Sequence, residues 1–386
     1  MRLLHTSDWH LGRSFHRVSL LEAQRAFLDH LVDVVRAEDV DAVLVAGDIY
    51  DRAVPPLSAV ELYDRALHAL AAAGVPTVMI SGNHDSARRL GVGAGLLGRA
   101  GVHLRTVPAG CDRPVLLRDE HGDVAVYGIP YLEPALVRDT LGTDRADHPA
   151  VLGAAIDLIR ADLATRPAGT RSVVLAHAFV TGAAPSDSER DITTGGVDSV
   201  PAALFDGFHY TALGHLHGCQ TVGERLRYSG SPLAYSFSEE HHRKSMWLVD
   251  LGPGGAIDAR RLDTPVPRRL ARLRGTLAEL LADPAHEAHT DSWVEAVLTD
   301  ADRPYEPMAA LAKRFPHILS LGFDPGNRPE DPDASYARRL AGRSDQQIAE
   351  DFVAHVRGSA PDDHERAVLR DAFDAVRAAA AGTERD

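Results

Sequence analysis

The chain has 386 residues, of which 45% are hydrophobic and 25% are charged, as in ordinary globular proteins with one large core and small appended units. Its formal net charge of −14 argues against a free-standing nucleic-acid binder, because such proteins carry basic surfaces that neutralise phosphates. No apolar stretch reaches the roughly 18 residues of a transmembrane helix, and no signal-peptide pattern precedes the first strand. The two cysteines, Cys111 and Cys219, cannot form a disulfide framework, so we expect a reducing, cytoplasmic compartment.

The first 85 residues alternate strand and helix patterns. Apolar runs at 1–10, 41–47 and 75–81 predict strands, and they flank amphipathic helix patterns at 20–38 and 57–73. This βαβαβ order predicts a mainly parallel sheet that is covered by helices.

The middle of the chain predicts a second sheet. Short apolar runs at 115–117 and 124–127 indicate antiparallel strands that pack on the first sheet, and helix patterns follow at 133–141 and 149–165. Buried strands are expected at 172–176 and 210–213. We expect three more strands to complete the second sheet, at 225–230, 245–251 and 257–262.

Glycine and proline residues at 252–267 indicate a domain boundary. Residues 268–323 are predicted to form a small α+β unit with elements at 275–282 (helix), 292–298 (strand), 305–314 (helix) and 317–322 (strand). A polar break at 324–333 leads to a helical tail, 335–386, with two amphipathic stripes. Short helices need a surface to pack on, and both this chain and a partner protein could supply it.

Polar side chains with metal-binding chemistry follow five of the predicted strands. They are Asp8 and His10, Asp48, Asn83 and His84, His177, and His215 and His217. Taken singly, each has an ordinary alternative as a turn aspartate or a structural histidine. Because open α/β sheets place their ligands at the carboxyl ends of the strands, the combination predicts one site there.

The types of donor indicate which ions could bind. Asp8 and His10 are two residues apart, as are His215 and His217, and in an extended segment this spacing puts both side chains on one face. Oxygen and imidazole donors without thiolates suit Mn²⁺, Fe²⁺, Zn²⁺ or Mg²⁺ rather than a structural cysteine-type zinc site. One ion does not need this many donors, so we expect two ions about 3.5–4 Å apart that share a carboxylate and act on a phosphate ester.

These motifs resemble those of the calcineurin-like metallophosphoesterases. The matching segments are Asp8-x-His10, Gly47-Asp48-x-x-Asp51, Gly82-Asn83-His84-Asp85, Ala176-His177 and Gly214-His215-x-His217. Three further segments resemble the SbcD family, the nuclease subunits of bacterial SbcCD complexes: 5–12 (HTSDWHLG), 186–190 (SDSER) and 228–232 (YSGSP). The resemblance is close over residues 1–250 and looser beyond them.

The resemblance implies a fold and a domain organisation. It implies an α/β fold in which a two-sheet α/β-β/α sandwich forms a metallophosphoesterase nuclease domain at 1–262. The α+β unit at 268–323 would be a capping domain that contacts DNA. The helical tail at 335–386 would bind an ATPase subunit.

The resemblance also implies roles for the site residues. The cofactors would be two Mn²⁺ ions, with Mg²⁺ or another divalent ion possible. The ligands would be, for one ion, Asp8, His10, Asp48 and His217 and, for the other, Asp48, Asn83, His177 and His215. His84 would act beside the bridging Asp48 in catalysis, either by donating a proton to the leaving oxygen or by stabilising negative charge.

The activity implied is that of a DNA nuclease in DNA repair, recombination and replication. It would be an exonuclease on duplex ends and an endonuclease on single strands and hairpins, working as a homodimer with an SbcC-type coiled-coil ATPase. A metallophosphoesterase that acts on small phosphodiesters or phosphoproteins is the alternative enzyme. A metal-bearing scaffold that recruits an ATPase without cutting DNA is the alternative outside enzymes.

Some residues near these motifs keep two interpretations. Some relatives carry histidine at the position of Asp51, which could orient a metal ligand or simply cap a turn. Arg88 and Arg89 could meet phosphate or lie on a solvated helix face. Cys219 has no matching cysteine nearby and is interpreted as structural.

Overall fold

The computed structural model of the chain describes residues 1–189, 199–325, 344–357 and 359–383. Arg190, most of the polar break at 324–333, residues 335–343 and 384–386 of the predicted tail, and Gly358 between the tail stripes lie outside the described residues. None of the helices within these ranges is both long and apolar enough to cross a membrane.

The elements are numbered in chain order. The strands are β1 (Arg2–Thr6), β2 (Ser14–Phe15), β3 (Val18–Ser19), β4 (Ala42–Ala46), β5 (Thr77–Ile80), β6 (Val102–Arg105), β7 (Val115–Asp119), β8 (Gly122–Ile129), β9 (Arg171–His177), β10 (Phe179–Val180), β11 (Ser199–Val200), β12 (Tyr210–Gly214), β13 (Gln220–Val222), β14 (Leu226–Tyr228), β15 (Ser245–Leu251), β16 (Ile257–Asp263), β17 (Leu270–Gly275), β18 (Trp293–Leu298) and β19 (Ile318–Phe323). The α-helices are α1 (Leu21–Ala37), α2 (Leu57–Ala72), α3 (Ala87–Leu90), α4 (Ala94–Leu97), α5 (Pro134–Leu141), α6 (His148–Ala164), α7 (Leu277–Ala282), α8 (Pro307–Arg314), α9 (Asp345–Arg357) and α10 (Asp363–Thr383).

Two sheets of six strands each dominate the described residues. The first has the order β16-β15-β1-β4-β5-β6, and the second has the order β13-β14-β12-β9-β8-β7. Strands β1, β4, β5 and β6 are parallel, as are β8, β9, β12 and β14. Antiparallel strands complete the edges of both sheets, at β15 and β16 in the first and at β7 and β13 in the second.

The two sheets pack face to face with helices on their outer faces. An apolar cluster fills the space between them and includes Leu3, Leu44, Val126, Val173 and Val249. Helices α1 and α2 cover the first sheet, and α5 and α6 cover the second. Every residue of β4 is buried, because a parallel strand in such a layer is covered on both faces. The α/β fold with its two-sheet α/β-β/α sandwich is therefore confirmed.

Two strands lie in a different sheet from the one predicted. Residues 245–251 and 257–262 were expected in the second sheet, but β15 pairs antiparallel with β1, and β16 pairs with β15, so both extend the first sheet. An alternating or apolar pattern predicts that a segment is extended, but it does not identify the sheet edge that the segment joins. Here one of the two partners of β1 is β15, which lies far from it in sequence, whereas strands that are close in sequence usually pair.

A third sheet, of three parallel strands, lies in the predicted α+β unit. Strands β17, β18 and β19 pack with α7 and α8 around Leu273, Val294, Leu311 and Phe315. The sequence analysis missed β17, because its inward residues include the small Ala271 and alternate with arginines. The α-carbon contacts divide the chain into two compact units, Met1–Asp324 and Pro325–Asp386.

Helices α9 and α10 contact each other within the second unit. The Arg357 guanidinium joins the Glu365 carboxylate at 2.5 Å, which ties the two helices together. Among the side chains that the structure describes in these helices, three large apolar ones are exposed: Phe352 (60%), Val356 (68%) and Val368 (54%). The two amphipathic stripes predicted for the tail therefore coincide with helices α9 and α10.

A buried arginine joins the two large sheets. Arg171, at the start of β9, is only 1% exposed, and its guanidinium donates hydrogen bonds to the Asp119 carboxylate of β7. The same guanidinium donates to the carbonyl oxygens of Leu251 (3.0 Å), in the first sheet, and Gly122 (3.0 Å). The Arg171 hydrogen bonds hold the pKa of Asp119 well below its usual range.

Asp119→Ala is expected to lower the free energy of unfolding by about 3 kcal/mol, because it leaves a buried guanidinium without its carboxylate. Because the folded-state pKa of Asp119 is lowered, its contribution is complete above a pH of about 4 and is lost as the pH falls. Urea titrations at neutral and acidic pH measure both effects. The control is Asp123→Ala, which removes a carboxylate 3.6 Å from the exposed Arg118 and should cost less than about 1 kcal/mol. Equal losses in the two variants would contradict the assignment.

Candidate active site

The carboxyl ends of strands from both large sheets meet at one place. The predicted site residues all lie there: Asp8 and His10 after β1, Asp48 after β4, Asn83 and His84 after β5, His177 at the end of β9, and His215 and His217 after β12. Asn83 and His84 are partly exposed, and the others are buried. The structure thus brings together every residue that the sequence analysis selected for the site.

The backbone at the site turns into the left-handed region. Asp8, His10, Asp48 and His215 have φ values of 53°, 44°, 50° and 100°, which are uncommon for residues other than glycine. Our expectation that Asp8-x-His10 is extended is therefore wrong. The side chains converge because these turns aim them inward, and the amide N–H groups of Asp8 and His10 donate to Gly47 O and Asp48 O, both at 3.0 Å.

Two glycines leave the space that the site residues occupy. A Cβ on Gly47, whose φ is 90°, would lie 2.3 Å from His177 Nδ1. A Cβ on Gly82 would lie 2.1 Å from Asp48 Oδ1. Because neither position has room for a side chain, the Gly-Asp and Gly-Asn-His-Asp motifs begin with glycine.

Carboxylates and imidazoles form three overlapping groups whose candidate ligand atoms lie within 4.8 Å of one another. The groups are Asp8 with His10 and His217, His10 with Asp48 and His84, and Asp8 with Asp48 and His177. The Nε2 atoms of His10 and His217 are 3.1 Å apart. Asp48 Oδ2 lies 3.6 Å from His10 Nε2 and 3.4 Å from His177 Nε2, so this carboxylate lies between the two sides of the site.

Asn83 connects the remaining donors. Its Oδ1 is 2.8 Å from His177 Nε2 and 3.3 Å from His215 Nδ1. Two buried nitrogens, Asn83 Nδ2 and His10 Nδ1, have no hydrogen-bond partner within the described part of the chain. The clustered carboxylate oxygens, the Asn83 amide oxygen and the imidazole nitrogens fit divalent cations of the Mn²⁺, Fe²⁺, Zn²⁺ and Mg²⁺ group, whereas an amide nitrogen does not bind a cation.

Charge compensation sets the pKa values in the cluster. Burial alone would raise the pKa of Asp48, but the neighbouring His177 outweighs it and holds the pKa well below the usual range. Burial would lower the pKa of His177, but the Asp48 charge raises it to about 9. Burial dominates at Asp8 and raises its pKa to about 6, although His177 and His217 oppose the shift. Asp48 is therefore the most strongly ionised carboxylate beside these histidines.

Asp85 holds the two loops that carry Asp48 and Asn83. Its Oδ2 accepts from the amides of Ile49 (3.0 Å) and Gly82 (2.9 Å), and its Oδ1 accepts from the amide of Tyr50 (2.9 Å). Burial and the nearby Asp48 charge raise the pKa of Asp85 to about 7. The sequence analysis quoted Asp85 in a motif and gave it no role.

Asp8 and His10 are held by residues that the sequence analysis missed or left without a role. Ser7 Oγ donates to Asp8 Oδ2 at 2.5 Å and contacts Ser229 Oγ, in the YSGSP segment, at 2.7 Å. Gln24 of α1 donates to His10 O at 2.7 Å. Gln24 could have been found as a polar residue on the buried face of an amphipathic helix.

His217 has a polar environment of its own. Ser188 Oγ lies 2.5 Å from His217 Nδ1, and Glu189 Oε1 accepts the His217 amide at 2.7 Å. Behind Ser188, the buried Glu239 carboxylate pairs with the buried Lys244 ammonium. Ser188 and Glu189 belong to the SDSER segment, whereas no sequence signal pointed to Glu239 or Lys244.

His84 differs from the other histidines because it is partly exposed. Its Nδ1 lies 2.8 Å from Asp51 O, and its amide donates to Asp48 Oδ1 at 2.9 Å. A carbonyl oxygen only accepts, so Nδ1 carries a proton in every protonation state, and Nε2 is the atom that gains or loses one. His84 is thus placed to hold or release a proton at Nε2 beside the cluster. Because it also lies among the candidate ligand atoms, its separate role stays a prediction.

The structure shows the contacts of Asp51, Arg88, Arg89 and Cys219, whose roles the sequence left open. Asp51 Oδ1 is 3.8 Å from His10 Nδ1 and 3.5 Å from Arg13 Nη1, which favours the orienting role. Arg88 and Arg89 are both exposed, and Arg89 donates to Ala53 O at 2.9 Å. Cys219 is half-buried, and burial raises the pKa of its thiol.

Comparisons with known proteins identify a family. The model for calcineurin-like phosphoesterases matches residues 1–219, and the SbcD C-terminal model, described as a type 5 capsule protein repressor C-terminal domain, matches residues 266–357. Similar solved structures include a protein of Thermus thermophilus (14% identical, covering 67% of this chain and 98% of that one, TM-score 0.40). Another is a dimetal phosphatase from Danio rerio, which is 12% identical, covers 69% of this chain and 99% of its own, and has a TM-score of 0.37. A third is an archaeal phosphodiesterase, which is 9% identical, covers 68% of this chain and 100% of its own, and has a TM-score of 0.30.

The family assignment rests on the first family model, which covers more than half of the chain and every site residue predicted from the sequence, from Asp8 to His217. A bound pair of divalent cations in such a site supplies an activated water and positive charge for the phosphate oxygens. The chain is therefore a member of the calcineurin-like phosphoesterase family and a metal-dependent hydrolase.

Proposed function

We propose that this chain is the DNA nuclease subunit of an SbcCD-type complex, cutting duplex ends, single strands and hairpins with two Mn²⁺ ions. One combination of observations carries the proposal: a complete donor cluster at the sheet edge is followed, in the same chain, by the match to an SbcD C-terminal domain. The cluster accounts for phosphodiester hydrolysis. The C-terminal match is what favours a nuclease subunit over other members of the family.

We assign the ligands of the two ions as the resemblance implies. Asp8, His10 and His217 hold one ion, Asn83, His177 and His215 hold the other, and Asp48 bridges them. The separations of 3.6 Å and 3.4 Å between Asp48 Oδ2 and the Nε2 atoms of His10 and His177 support the bridging role. His84 remains outside both sets, and its Nε2 serves the leaving oxygen or the charged phosphate.

Asp48→Ala is expected to weaken both ions together, because its carboxylate contacts both sides of the cluster. His217→Ala should weaken one ion first and leave the other near its original affinity. Calorimetric titration of the metal-free protein with Mn²⁺ gives the affinity and stoichiometry. His68→Ala, which removes an exposed histidine of α2, is the control and should titrate as the unchanged protein does. Two ions at full affinity in Asp48→Ala would rule out the bridge.

The substrate assay tests the proposed function directly. Incubated with Mn²⁺, the purified chain should shorten linear duplex DNA, and His84→Ala should cut it about 10²–10⁴-fold more slowly while still binding two ions. Electrophoresis follows the DNA, and titration follows the ions. Hydrolysis of a chromogenic phosphodiester with the DNA left intact would favour the small-substrate alternative. Loss of an ion in His84→Ala would make His84 a ligand.

The scaffold alternative has less support, because every donor position of the site is filled. A protein that only recruits an ATPase does not need a complete donor set. Cleavage by the unchanged chain that disappears in His84→Ala would exclude it.

Exposed apolar side chains on two neighbouring segments support the proposed homodimer. They lie at the start of α2 and around α3 and α4: Val54, Leu57, Val60, Val92 and Leu96. The hydrogen bond from Arg89 to Ala53 O joins these two segments. Exposed apolar side chains that are grouped in this way are typical of protein interfaces.

The exposed apolar residues of α9 and α10 support an SbcC-type ATPase as the partner of the tail. Phe352 and Val356 lie four residues apart and are 60% and 68% exposed, which is the spacing of one helix face. The −14 charge of the chain also favours a partner that supplies positive surface for DNA.

Phe352→Glu combined with Val356→Glu is expected to abolish capture of the ATPase subunit, because two charges then replace the apolar contact. Mn²⁺-dependent cleavage by the isolated chain should not change, since the metal cluster lies in the other compact unit. The matched control is Leu158→Glu, an exposed leucine of α6 that should leave capture intact. Unchanged capture by the double variant would contradict the docking role of α9.

A further inference from the structure

The SDSER segment has no role in the site as described so far, although two of its residues touch His217. The segment lies in the loop that follows β10, and Ser188 Oγ is 2.5 Å from His217 Nδ1. The same hydroxyl donates to Glu239 Oε1. Ser188 therefore bridges an imidazole nitrogen and a carboxylate, and the same Glu239 oxygen also lies 3.4 Å from His217 Nδ1.

The direction of these hydrogen bonds follows from the charges. Glu239 is 1% exposed, and its Oε2 accepts from the Lys244 ammonium, so its carboxylate is ionised and can only accept. A serine hydroxyl has one hydrogen, and here it points at Glu239. The Ser188 oxygen must then accept from His217, so the His217 proton lies on Nδ1.

This tautomer leaves the other His217 nitrogen free to bind. With the proton on Nδ1, Nε2 carries a lone pair, and Nε2 is the atom 3.1 Å from His10 Nε2 in the group formed with Asp8. In neutral imidazole the hydrogen bond of one nitrogen decides which form the other takes. The hydrogen bonds of Ser188 and Glu239 therefore favour the Nδ1-protonated form of His217, whose Nε2 lone pair can bind a cation.

The backbone of His217 is fixed by the same residues. Lys244 Nζ donates to His217 O at 3.1 Å and to Ser231 Oγ at 2.9 Å. The Lys244 ammonium therefore contacts both the Glu239 carboxylate and the backbone carbonyl of His217. Glu189 Oε1 accepts the His217 amide at 2.7 Å, and its Oε2 is bound by the amide of Ser186 at 2.8 Å. Ring, amide and carbonyl of His217 thus all have partners in one network.

We propose that Ser188, Glu239 and Lys244 are positioning residues that hold His217 in the Nδ1-protonated tautomer and so set the affinity of one metal site. The proposal rests on the proposed function insofar as His217 is a ligand. It gives the SDSER segment a defined task, since Ser188 contributes the relaying hydroxyl and Glu189 fixes the backbone. It also explains two charged residues buried beside the site.

The tautomer can be measured in the full-length, metal-free protein. Long-range ¹H–¹⁵N spectra of histidine-labelled protein distinguish the two ring nitrogens, and the spectrum of His217→Gln identifies the His217 signals. We expect the unchanged protein to show His217 protonated on Nδ1, and Ser188→Ala to show a larger share of the Nε2-protonated form, because only the longer 3.4 Å contact with Glu239 Oε1 then remains at Nδ1. Protonation on Nε2 in the unchanged protein would overturn the proposal, whatever the metal data show.

Metal binding supplies the second readout. Ser188→Ala should lose about 10–100-fold in Mn²⁺ affinity at one of the two sites, and Ser188→Thr, which keeps the hydroxyl, should restore it. The control is Ser58→Ala, which removes an exposed serine hydroxyl of α2 and should leave both affinities unchanged. Unchanged affinity in Ser188→Ala would overturn the positioning role. Failure of the unchanged protein to bind Mn²⁺ would instead refute the proposed function, because the tautomer result does not depend on metal.

Discussion

The structure depends on keeping one ionised carboxylate buried. Asp48 is 2% exposed, and an isolated carboxylate at such a position would cost several kcal/mol in lost hydration. His177, His10 and the His84 amide compensate its charge, so the strand ends that carry them must remain within a few ångströms of Asp48. Because β4 and β9 belong to different sheets, compensation of the Asp48 charge by His177 requires the two sheets to approach closely at this edge.

The fold meets that requirement through turns and small residues rather than through the strands themselves. Four site residues adopt left-handed backbone conformations, and Gly47 and Gly82 leave room for His177 and Asp48. Strained backbone of this kind persists only where its surroundings impose it, and at this site Asp85 and Gln24 hold the turns by hydrogen bonds. The apolar layer between the sheets supplies the rigid support, and Arg171 joins both sheets at the start of β9.

The sequence allowed most of the helices, most parallel strands of the two large sheets and the location of the candidate site to be predicted for physical reasons. Apolar periodicity marks buried faces, and a polar residue after a buried strand marks the sheet edge, so Asp48 and His177 could be found before any contact was known. It did not reveal which sheet β15 joins, because pairing between residues as distant in sequence as Leu3 and Val249 leaves no local pattern. Glu239 and Lys244 could not be predicted either, because charged residues that form a buried ion pair have the same local sequence pattern as charged residues on the surface.

The central claim is a two-cation centre in which Asp48 is shared. Anomalous scattering from a crystal of the full chain grown with Mn²⁺ tests it most directly, since it locates each ion. The account predicts two peaks about 3.5–4 Å apart at the edge where both sheets meet, with the Asp48 carboxylate between them. A single peak, or two peaks of which only one lies beside Asp48, would contradict it.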